Sequence, residues 1–436
     1  MEQKFHKPED GCFQARLADC GSIISGEKEV GFASLFPTTS DPFGDDGDAG
    51  VKYETMAWWQ AGMIMIAETI SLGILALPKA LSILGLFLGI LTILGVGVIS
   101  TYTGYTIKQL KRCYMQIHSM ADAGDLLMGK LGRRFLGLAQ LLFYIVIGSH
   151  ILTFSIMMNV LTEHSSCTLL YSSVGLLISF FLTRPSRLER PSRLSAMSFV
   201  SITAAVITSM IGASVSKGST SHIFLFSSAP AVPDACLAIA NFVFVYAGHV
   251  AFFTLFSELR DIKDFPKAQA LLQITEMIFY SISAIVIYAY VGSALASPAL
   301  NSAGKLSRKI SYVIAILTAA WAVICITLWV VSWEIAEGIP IFNDILGLVT
   351  DICQSSLFAT WFSFGLPGMF WLFLNRNRGF LSWRQMIPFG INVYLVLLGL
   401  IICVIGLYSP VRSNFYNLQK GVGEAVSRVP ITHYSE

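Results

Sequence analysis

Two ionisable side chains lie inside otherwise apolar stretches of the sequence. Glu68 is in MIMIAETISLGILALP (63–78), and His249 is in VYAGHVAFF (245–253). A carboxyl group among apolar residues is costly to ionise and usually has a function or a partner, and histidine titrates near neutral pH. We therefore predict that Glu68 and His249 couple proton movement to another process. Two alternatives stay open: a neutral, hydrogen-bonded structural acid, and a neutral imidazole that satisfies a freed backbone group.

The same two stretches contain residues that interrupt helices. Gly73 and Pro78 follow Glu68, and Gly248 directly precedes His249. Glycine and proline both lower helix stability, and a lipid bilayer offers no water to satisfy the freed N–H and C=O groups. Half-helix N-termini can hold a carboxylate, and freed carbonyl groups can hold an ammonium group or a cation. A pair of such breaks suits an amino-acid zwitterion, and a plain kink in each helix is the alternative interpretation.

The elements that must position these residues are membrane spans. The 436-residue chain is 54% hydrophobic and 13% charged, whereas about 25% of the residues in a soluble domain are charged. A span needs about 20 mostly apolar residues. The breaks fall in the first and sixth candidates, which begin two groups of five helices, and this placement is typical of transporters built on an inverted repeat. The ten candidate spans are 56–80, 82–107, 135–161, 167–183, 195–215, 235–257, 272–294, 310–336, 347–374 and 386–408.

The sequence outside the spans predicts two polar tails. Residues 1–55 contain 11 acidic and 5 basic residues and are predicted to be a disordered, acidic, cytosolic tail. The transmembrane domain is predicted over 56–408, and a polar C-terminal tail over 409–436. The net charge of +2 indicates no nucleic-acid partner. The sequence contains no H-E-x-x-H or G-x-S-x-G motif and no Cys-x-x-Cys pair, so we expect neither an enzyme nor a metal site.

Lysine and arginine residues in short loops predict the orientation of the spans. With a cytosolic N-terminus, the loops after the second, fourth and sixth spans are cytosolic and basic, and the rule holds through the seventh span. It then fails, because Lys305, Arg308 and Lys309 fall in an outer loop. Alternation through ten spans also places the basic loop 375–385 outside. The sequence therefore predicts a topology that is one helix short.

Four segments carry a specific resemblance to a known family. They are MIMIAETISLGILALPKAL (63–81), NFVFVYAGHVAFFTLFSELRDIKDFPKAQALLQ (241–273), WEIAEGIPIFNDILGL (333–348) and FSFGLPGMFWLFLN (362–375). The chain resembles the amino acid/auxin permease family, and most closely the neutral amino acid permeases of filamentous fungi. The resemblance implies an all-α polytopic membrane protein with the LeuT-like five-plus-five inverted-repeat fold, and secondary transport of amino acids.

The resemblance also implies site residues, and it shows one departure. Segment 296–300 is followed by 309–317 and then by the next family helix, so the chain lacks family helix 8 and has about 10 spans instead of 11. The apolar character of the expected contacts favours a neutral substrate. The expected substrate contacts are Ser71, Gly73, Ile74 and Leu75 from the first break, and Tyr246, Ala247, Gly248 and Phe252 from the second.

The leading functional prediction is a proton-coupled permease for neutral amino acids in the plasma membrane. A vacuolar exporter of the same fold is the close alternative for the membrane. Because helix 8 flanks the central site in the family, a non-transporting amino-acid sensor or an inactive variant is the alternative function. We expect no cofactor, because the proton gradient supplies the driving force, and sodium coupling is the less favoured mode. The expected partners are the neutral amino acid and the lipid bilayer.

Overall fold

The computed structural model describes most of the predicted transmembrane domain. The predictions for residues 1–54, for most of the fourth span, for residues 322–360 and for 420–436 lie outside the described residues. The described residues are 55–70, 72–147, 149–163, 165, 170–175, 189–217, 224–226, 230, 232–292, 295, 299–321, 361–375 and 383–419.

This part of the chain is helical, with short tight turns between helix segments. The α-helices are α1 (Trp58–Thr69), α2 (Leu77–Leu84), α3 (Leu86–Cys113), α4 (Met120–Ile147), α5 (Ser149–Leu161), α6 (Glu189–Lys217), α7 (Val232–Phe244), α8 (Phe252–Glu258), α9 (Phe265–Val291), α10 (Lys305–Trp321), α11 (Leu366–Leu374) and α12 (Trp383–Gln419). Turns of 3₁₀-helix cover Leu72–Ala76, Gly248–Ala251, Ile262–Asp264 and Ala299–Ser302, and a π-helical turn covers Trp361–Gly365.

The apolar sequence produces spans of membrane length. Five helical stretches in the described part are long and apolar enough to cross a bilayer: Leu86–Cys113, Ser195–Val215, Asp234–Glu258, Ile262–Val291 and Met386–Val404. A bent pair, Trp58–Thr69 with Gly73–Leu84, forms a sixth candidate, and its two halves meet at 43°. The protein is thus a polytopic membrane protein.

The spans with breaks lie at the centre of the bundle. Helix α1 packs against α9 and α6, and α2 packs against α7 and α9. Helix α9 also contacts α3, so it touches both halves of the first broken span and its neighbours. This arrangement surrounds the breaks with helices that are apolar on most faces, which is typical of buried membrane helices.

Contacts between helix ends agree with the predicted sidedness. On the predicted outer side, the backbone N–H groups of Leu86 and Phe87 donate to the carbonyl groups of Phe224 and Leu225, at 3.1 and 3.0 Å. On the predicted cytosolic side, His118 Nδ1 lies 2.8 Å from Ser257 Oγ. Each contact joins two loops that alternation places on the same side of the membrane.

An ion pair accounts for part of the positive charge in the first turns of α10, where the sequence predicts an outer loop. Lys309 Nζ lies 2.6 Å from a carboxylate oxygen of Glu163, which follows α5, and Lys305 Nζ lies 3.8 Å from the same oxygen. These partners hold the pKa of Glu163 below its usual value, chiefly through the hydrogen bond from Lys309. The two lysines that break the charge rule are therefore matched by an acid from the neighbouring loop.

The end of α11 agrees with the charge rule rather than with alternation through ten spans. The ring of Phe373 lies 6.3 Å from that of Tyr114, which directly follows the predicted cytosolic end of α3. Asn375 is therefore on the cytosolic side, and this is the side that the rule requires for the basic loop 375–385. Alternation through ten spans would place that loop outside.

Two other boundaries differ in detail from the sequence-based ones. Helix α4 turns at Gly129, whose φ of +62° favours glycine, so the membrane-crossing part of this helix begins after it. Helix α12 continues to Gln419, beyond the predicted boundary at 408. Only the first part of candidate span 310–336 is described, as the end of α10, so the loss of helix 8 stays a prediction.

Candidate functional site

The first break has the shape that the sequence predicts. Helix α1 ends at Thr69, and Ile70 leaves the helical conformation with φ −81° and ψ 64°. A 3₁₀ turn that includes Gly73 leads into α2, and Pro78 lies in the first turn of α2. Proline lacks an N–H group, and none is needed in the first turn of a helix. Pro78 therefore fits the start of the second half-helix and does not kink it.

The second break is also confirmed, and tight hydrogen bonds close it. Helix α7 ends at Phe244, and α8 begins at Phe252. Between them, the backbone N–H of Tyr246 donates to Val243 O at 3.2 Å, and that of Ala247 donates to Phe244 O at 3.0 Å. The 3₁₀ turn that follows begins at Gly248. The chain therefore leaves the α-helix and re-enters it within one short segment.

The two breaks touch each other, and glycine makes the contact possible. A Cβ atom on Gly248 would lie 2.7 Å from Thr69 Cγ2, and one on Gly73 would lie 3.2 Å from Val245 Cγ1. The first distance is too short for a real contact, so a side chain at Gly248 would push the two half-helices apart. The inverted-repeat prediction places the breaks side by side, and the structure has them in direct contact.

Tyr280 of α9 joins the two breaks through hydrogen bonds. Its single O–H is shared between two acceptors, Val245 O at 3.0 Å and Thr69 O at 3.3 Å. Both acceptors lie where a regular helix has stopped, so these are carbonyl groups that the breaks leave available. The ring of Tyr246 packs edge-on against that of Tyr280, with centroids 5.3 Å apart. One hydroxyl group therefore holds both ends together.

The expected substrate contacts fall into buried side chains and accessible backbone. The side chains of the second break, Tyr246, Ala247 and Phe252, are buried, as are Ile74 and Leu75 of the first. Gly73 and Gly248 are partly exposed. Ser71 lies outside the described residues. The structure thus brings these residues together, and it presents backbone at the two glycines, where the sequence predicts that the substrate binds.

Glu68 is an exposed residue near the end of α1. Its side chain is exposed, whereas Ala67 before it and Ile70 after the end of the helix are buried. Thr69, Gly73 and Gly248 are partly exposed as well. The predicted proton-coupling acid therefore lies beside the two breaks.

His249 is fully buried and bonded to α3. Its Nε2 atom lies 3.1 Å from Ser100 O and 2.9 Å from Thr103 Oγ1. A carbonyl oxygen only accepts hydrogen bonds, so we assign the ring proton to Nε2. Nδ1 has no hydrogen-bond partner among the described residues, although the backbone of Tyr246 lies nearby. The imidazole therefore satisfies a backbone group, as one alternative predicted, but that group belongs to α3.

A row of polar side chains on α9 was missed by the sequence-based analysis. The spacing of Gln269, Gln273, Glu276 and Tyr280 is four, three and four residues, so they share one face of the helix. All four are buried. Gln269 Nε2 donates to Thr101 O at 2.8 Å, and Gln273 Nε2 donates to Ser100 Oγ at 3.0 Å. The available signal was an acid and an amide within the apolar seventh span, with a second amide one turn before it.

The π-helical turn Trp361–Gly365 was also missed. It packs against the 3₁₀ turn Gly248–Ala251 and against α3. The buried hydroxyl group of Ser363 in this turn has no hydrogen-bond partner among the described residues. Turns of this type occur often at functional sites. The contact between these two turns therefore has irregular backbone on both sides, a 3₁₀ turn and a π-helical turn.

The predicted cytosolic ends of the two broken spans are joined by backbone. Met56 N–H donates to Glu258 O, and Arg260 N–H donates to Met56 O, each at 3.0 Å. This main-chain bridge pairs Met56 with Leu259 as two short parallel strands would pair. The bridge therefore joins the start of α1 to the chain that follows α8.

The comparisons with known proteins agree with this geometry. The family described as "Transmembrane amino acid transporter protein" matches residues 54–326, which is more than half of the chain. The chain belongs to this family. The matched region contains both breaks, and it ends inside candidate span 310–336, where the sequence predicts the loss of a helix.

Individual relatives support membership in the family. The N amino acid transport system protein of Neurospora crassa is 29% identical over 426 residues, which cover 85% of this chain and 87% of that protein. A transmembrane transporter of Gibberella moniliformis is 24% identical over 404 residues, with 83% and 84% covered. The chain is thus similar to fungal transporters over most of its length.

A solved structure supports the fold. A manganese transporter of Eremococcus coleocola, a single-residue variant, has a TM-score of 0.54 with this chain at 11% identity. The likeness covers 88% of this chain and 100% of that one. At this identity the likeness concerns the fold alone. The chain is therefore an all-α polytopic transporter with the five-plus-five inverted-repeat architecture.

Proposed function

We propose that this transporter carries neutral amino acids by proton-coupled secondary active transport. The observation that carries the proposal is the direct contact between the two breaks, with partly exposed backbone at Gly73 and Gly248. Transporter sites of this architecture use half-helix ends and unwound backbone at the bilayer midplane. Alternating access then consists of separating the half-helices on one side of this contact and afterwards on the other.

The substrate class follows from the groups at the breaks. The N-terminal ends of α2 and α8 carry partial positive charge that suits the carboxylate of an amino acid, and freed carbonyl groups suit its ammonium group. The side chains around these backbone groups, Ile74, Leu75, Tyr246 and Phe252, carry no charge. They would leave a charged substrate side chain without a partner. The name of the Neurospora relative also supports an amino-acid substrate.

Proton coupling rests on the two ionisable residues beside the breaks. Glu68 is exposed beside the breaks, and we propose that it exchanges a proton with water there. His249 is a proposed second proton site, because its Nδ1 is available as an acceptor. The proton gradient would supply the driving force with no cofactor. A sodium-coupled cycle would use carbonyl and hydroxyl ligands and would not need Glu68.

The plasma membrane is the proposed location, and uptake is the direct test. The full chain would be expressed in cells without amino acid permeases of their own, and labelled L-leucine, L-phenylalanine and L-alanine would be followed at two pH values. We expect saturable uptake that a protonophore abolishes. Glu68→Gln should remove the pH-dependent part of that uptake, with Asp234→Asn at an exposed position as the matched control. Unchanged pH dependence in Glu68→Gln would exclude Glu68 as the coupling residue.

The alternative function is an amino-acid sensor or inactive variant that binds without transport. The family match ends at residue 326, and this observation favours it. A correctly located chain that binds one of the three amino acids but shows no uptake would support the sensor. Saturable uptake would exclude both alternatives and would show that the predicted loss of helix 8 is tolerated.

A further inference from the structure

Glu276 is a buried acid that the proposed mechanism has not yet used. It lies near the middle of α9, its relative exposure is 0%, and neither carboxyl oxygen has a well-formed hydrogen bond to a described residue. The hydroxyl group of Thr69 lies close enough to interact with this carboxyl group, but it donates its proton to Met65 O at 2.9 Å. One turn earlier on the same face, the side-chain oxygen of Gln273 also lacks a donor. The site therefore contains three buried acceptor oxygens without a donor, and a proton on Glu276 would supply one.

Glu276 lies at the junction of the two breaks. The groups that act on it electrostatically include Thr69 at the end of α1 and Tyr246 at the second break. Tyr280, one turn later, bridges Thr69 O and Val245 O. Any separation of α1 from the second break must therefore change the surroundings of Glu276. The protonation of a group at this position would therefore depend on whether α1 and the second break are together or apart.

The charges around Glu276 favour its neutral form. The titratable groups that face it are the phenols of Tyr246 and Tyr280. An ionised carboxylate inside a membrane protein is expensive unless a cation or several donors accompany it, so Glu276 holds a proton in this conformation. The part of α6 that crosses the membrane, Ser195–Val215, contains no titratable residue. The other titratable residues on elements next to α9 are Glu68, Lys79, Tyr102, Tyr105, Lys108, Lys111, Arg112, His249, Lys263 and Asp264.

We propose that Glu276 carries the proton that is transported with the amino acid. In the conformation open to the outside, a hydronium ion gives up a proton: one of its O–H bonds breaks, which leaves water, and an O–H bond forms on Glu276. When α1 separates from the second break towards the cytosol, that O–H bond breaks and a new one forms on a cytosolic water molecule, which leaves as hydronium while Glu276 becomes a carboxylate. The inference rests on the proposed function and adds the residue that holds the proton inside the protein, whereas Glu68 is the exposed acid beside the breaks.

The test uses the purified full chain in phospholipid vesicles with a pH-sensitive dye inside. The membrane voltage is clamped with potassium and valinomycin, and L-leucine, L-alanine or L-phenylalanine is added outside. Three quantities are measured: proton influx on adding the amino acid, accumulation of labelled amino acid under a one-unit pH gradient, and exchange of labelled for unlabelled amino acid at equal pH. One proton per amino acid should give about tenfold accumulation, since a factor of ten in proton activity drives a factor of ten in substrate.

Glu276→Gln keeps the size of the side chain and the neutral form. We expect it to abolish proton influx and accumulation while exchange stays within about threefold of the original chain, because a tenfold loss would correspond to a lost binding interaction. Glu276→Asp should restore proton influx. Asp234→Asn is the matched carboxyl-to-amide control on an exposed position, and it should leave all three quantities unchanged.

Several results would overturn the inference. Proton influx at the original level in Glu276→Gln would show that another group carries the proton. Loss of exchange together with influx in the Gln variant, without rescue by Asp, would show a structural role. Accumulation by the original chain without proton influx would end the inference but leave amino-acid transport in place. No saturable uptake of any of the three amino acids would overturn the proposed function, and the inference with it.

Discussion

The first break has few polar contacts with other elements, whereas the second is hydrogen-bonded to α3 and packed on α9 through aromatic rings. At the first, the described hydrogen bonds are those at the end of α1 and the bond from Tyr280 to Thr69 O. At the second, His249 is bonded to α3, and Phe252 packs on Phe265 with ring centroids 5.3 Å apart. The Phe256 ring adds a contact to Phe265 at 4.4 Å.

This difference suggests which half moves. Buried polar contacts and aromatic packing fix α8 to α3 and α9, so this half-helix belongs to the static part of the bundle. Helix α1 has its polar contacts at its two ends, in the main-chain bridge at Met56 and in the bond from Tyr280 at Thr69. Between those points it packs on α9 and α6 through apolar side chains, and apolar contacts can slide without breaking hydrogen bonds. We infer that α1 is the moving half, and four measurements test this difference.

The largest effect is expected at the contact between the breaks. Gly248→Val should abolish transport, because its Cβ would lie 2.7 Å from Thr69 Cγ2 and would force α1 away from a fixed α8. Gly73→Ala faces a milder contact of 3.2 Å with Val245 Cγ1 and should retain a reduced rate. Gly95→Ala, with no atom within 4 Å of its Cβ, is the control. The measurement is the uptake rate of each variant, divided by the amount of protein in the membrane. Equal losses of uptake in the Gly248 and Gly73 variants would contradict the difference between the two breaks.

The next effect tests the fastening of the second break. His249→Ala removes a buried ring and its hydrogen bonds, so we expect a loss of about 2–4 kcal/mol of stability. His249→Gln should recover much of it, because its amide nitrogen can donate to the same Ser100 carbonyl group. Thermal unfolding in detergent measures both variants. A destabilised Gln variant would argue against the anchoring role, and an unchanged pH profile of uptake in it would argue against the proposed proton role of His249.

A smaller effect is expected from the hydroxyl group that joins the breaks. Tyr280→Phe removes the bonds to Val245 O and Thr69 O but keeps the ring against Tyr246. Because one proton is shared between the two carbonyl groups, the loss should cost about 1 kcal/mol in total. Because this contact holds the moving half to the static one, the variant should favour separated conformations. Labelling of cysteines introduced along α1 should become faster, and unchanged labelling would show that Tyr280 does not restrain α1.

The smallest effect is expected at the outer ion pairs, far from either break. Glu163 is exposed, and its pKa is lowered by Lys309 and Lys305. The pairing therefore stabilises the folded protein at pH values above the ordinary pKa of glutamate. This stabilisation is lost as the pH falls through the lowered pKa of Glu163. Glu163→Gln should leave uptake unchanged and lower the melting temperature slightly at neutral pH, with no difference in acid. A clear loss of uptake in this variant would place the α10 end in the transport cycle.

Much of this fold could be predicted from the sequence, because membrane spans and glycine breaks leave local signals. The spans around 82–107, 195–215 and 235–257 correspond to α3, α6 and α7 with α8. The prediction of two breaks in corresponding helices needed only Gly73, Gly248 and the count of spans. The side of the loop at Asn375 was harder to predict, since it depends on every crossing before it, and residues 322–360 lie outside the described residues.

The contacts within the site could be predicted only in part. Glu68 and His249 were found because an ionisable residue in an apolar segment is conspicuous. Tyr280 and the π-helical turn at Trp361–Gly365 were not, since a tyrosine in a membrane helix is common and a π-helical turn has no clear sequence signature. Which carbonyl group a side chain reaches depends on how distant helices pack, and the sequence does not encode that locally.

The main-chain bridge between Met56 and Leu259 has a consequence for mutational tolerance. Arg260 is exposed, and its contribution to the bridge is a backbone N–H group, so its side chain is free to change. A complete substitution scan at this position should tolerate every residue type except proline, which has no N–H to donate. Judged only by which side chains it tolerates, this position would look unimportant, although the main-chain bridge depends on its backbone N–H group.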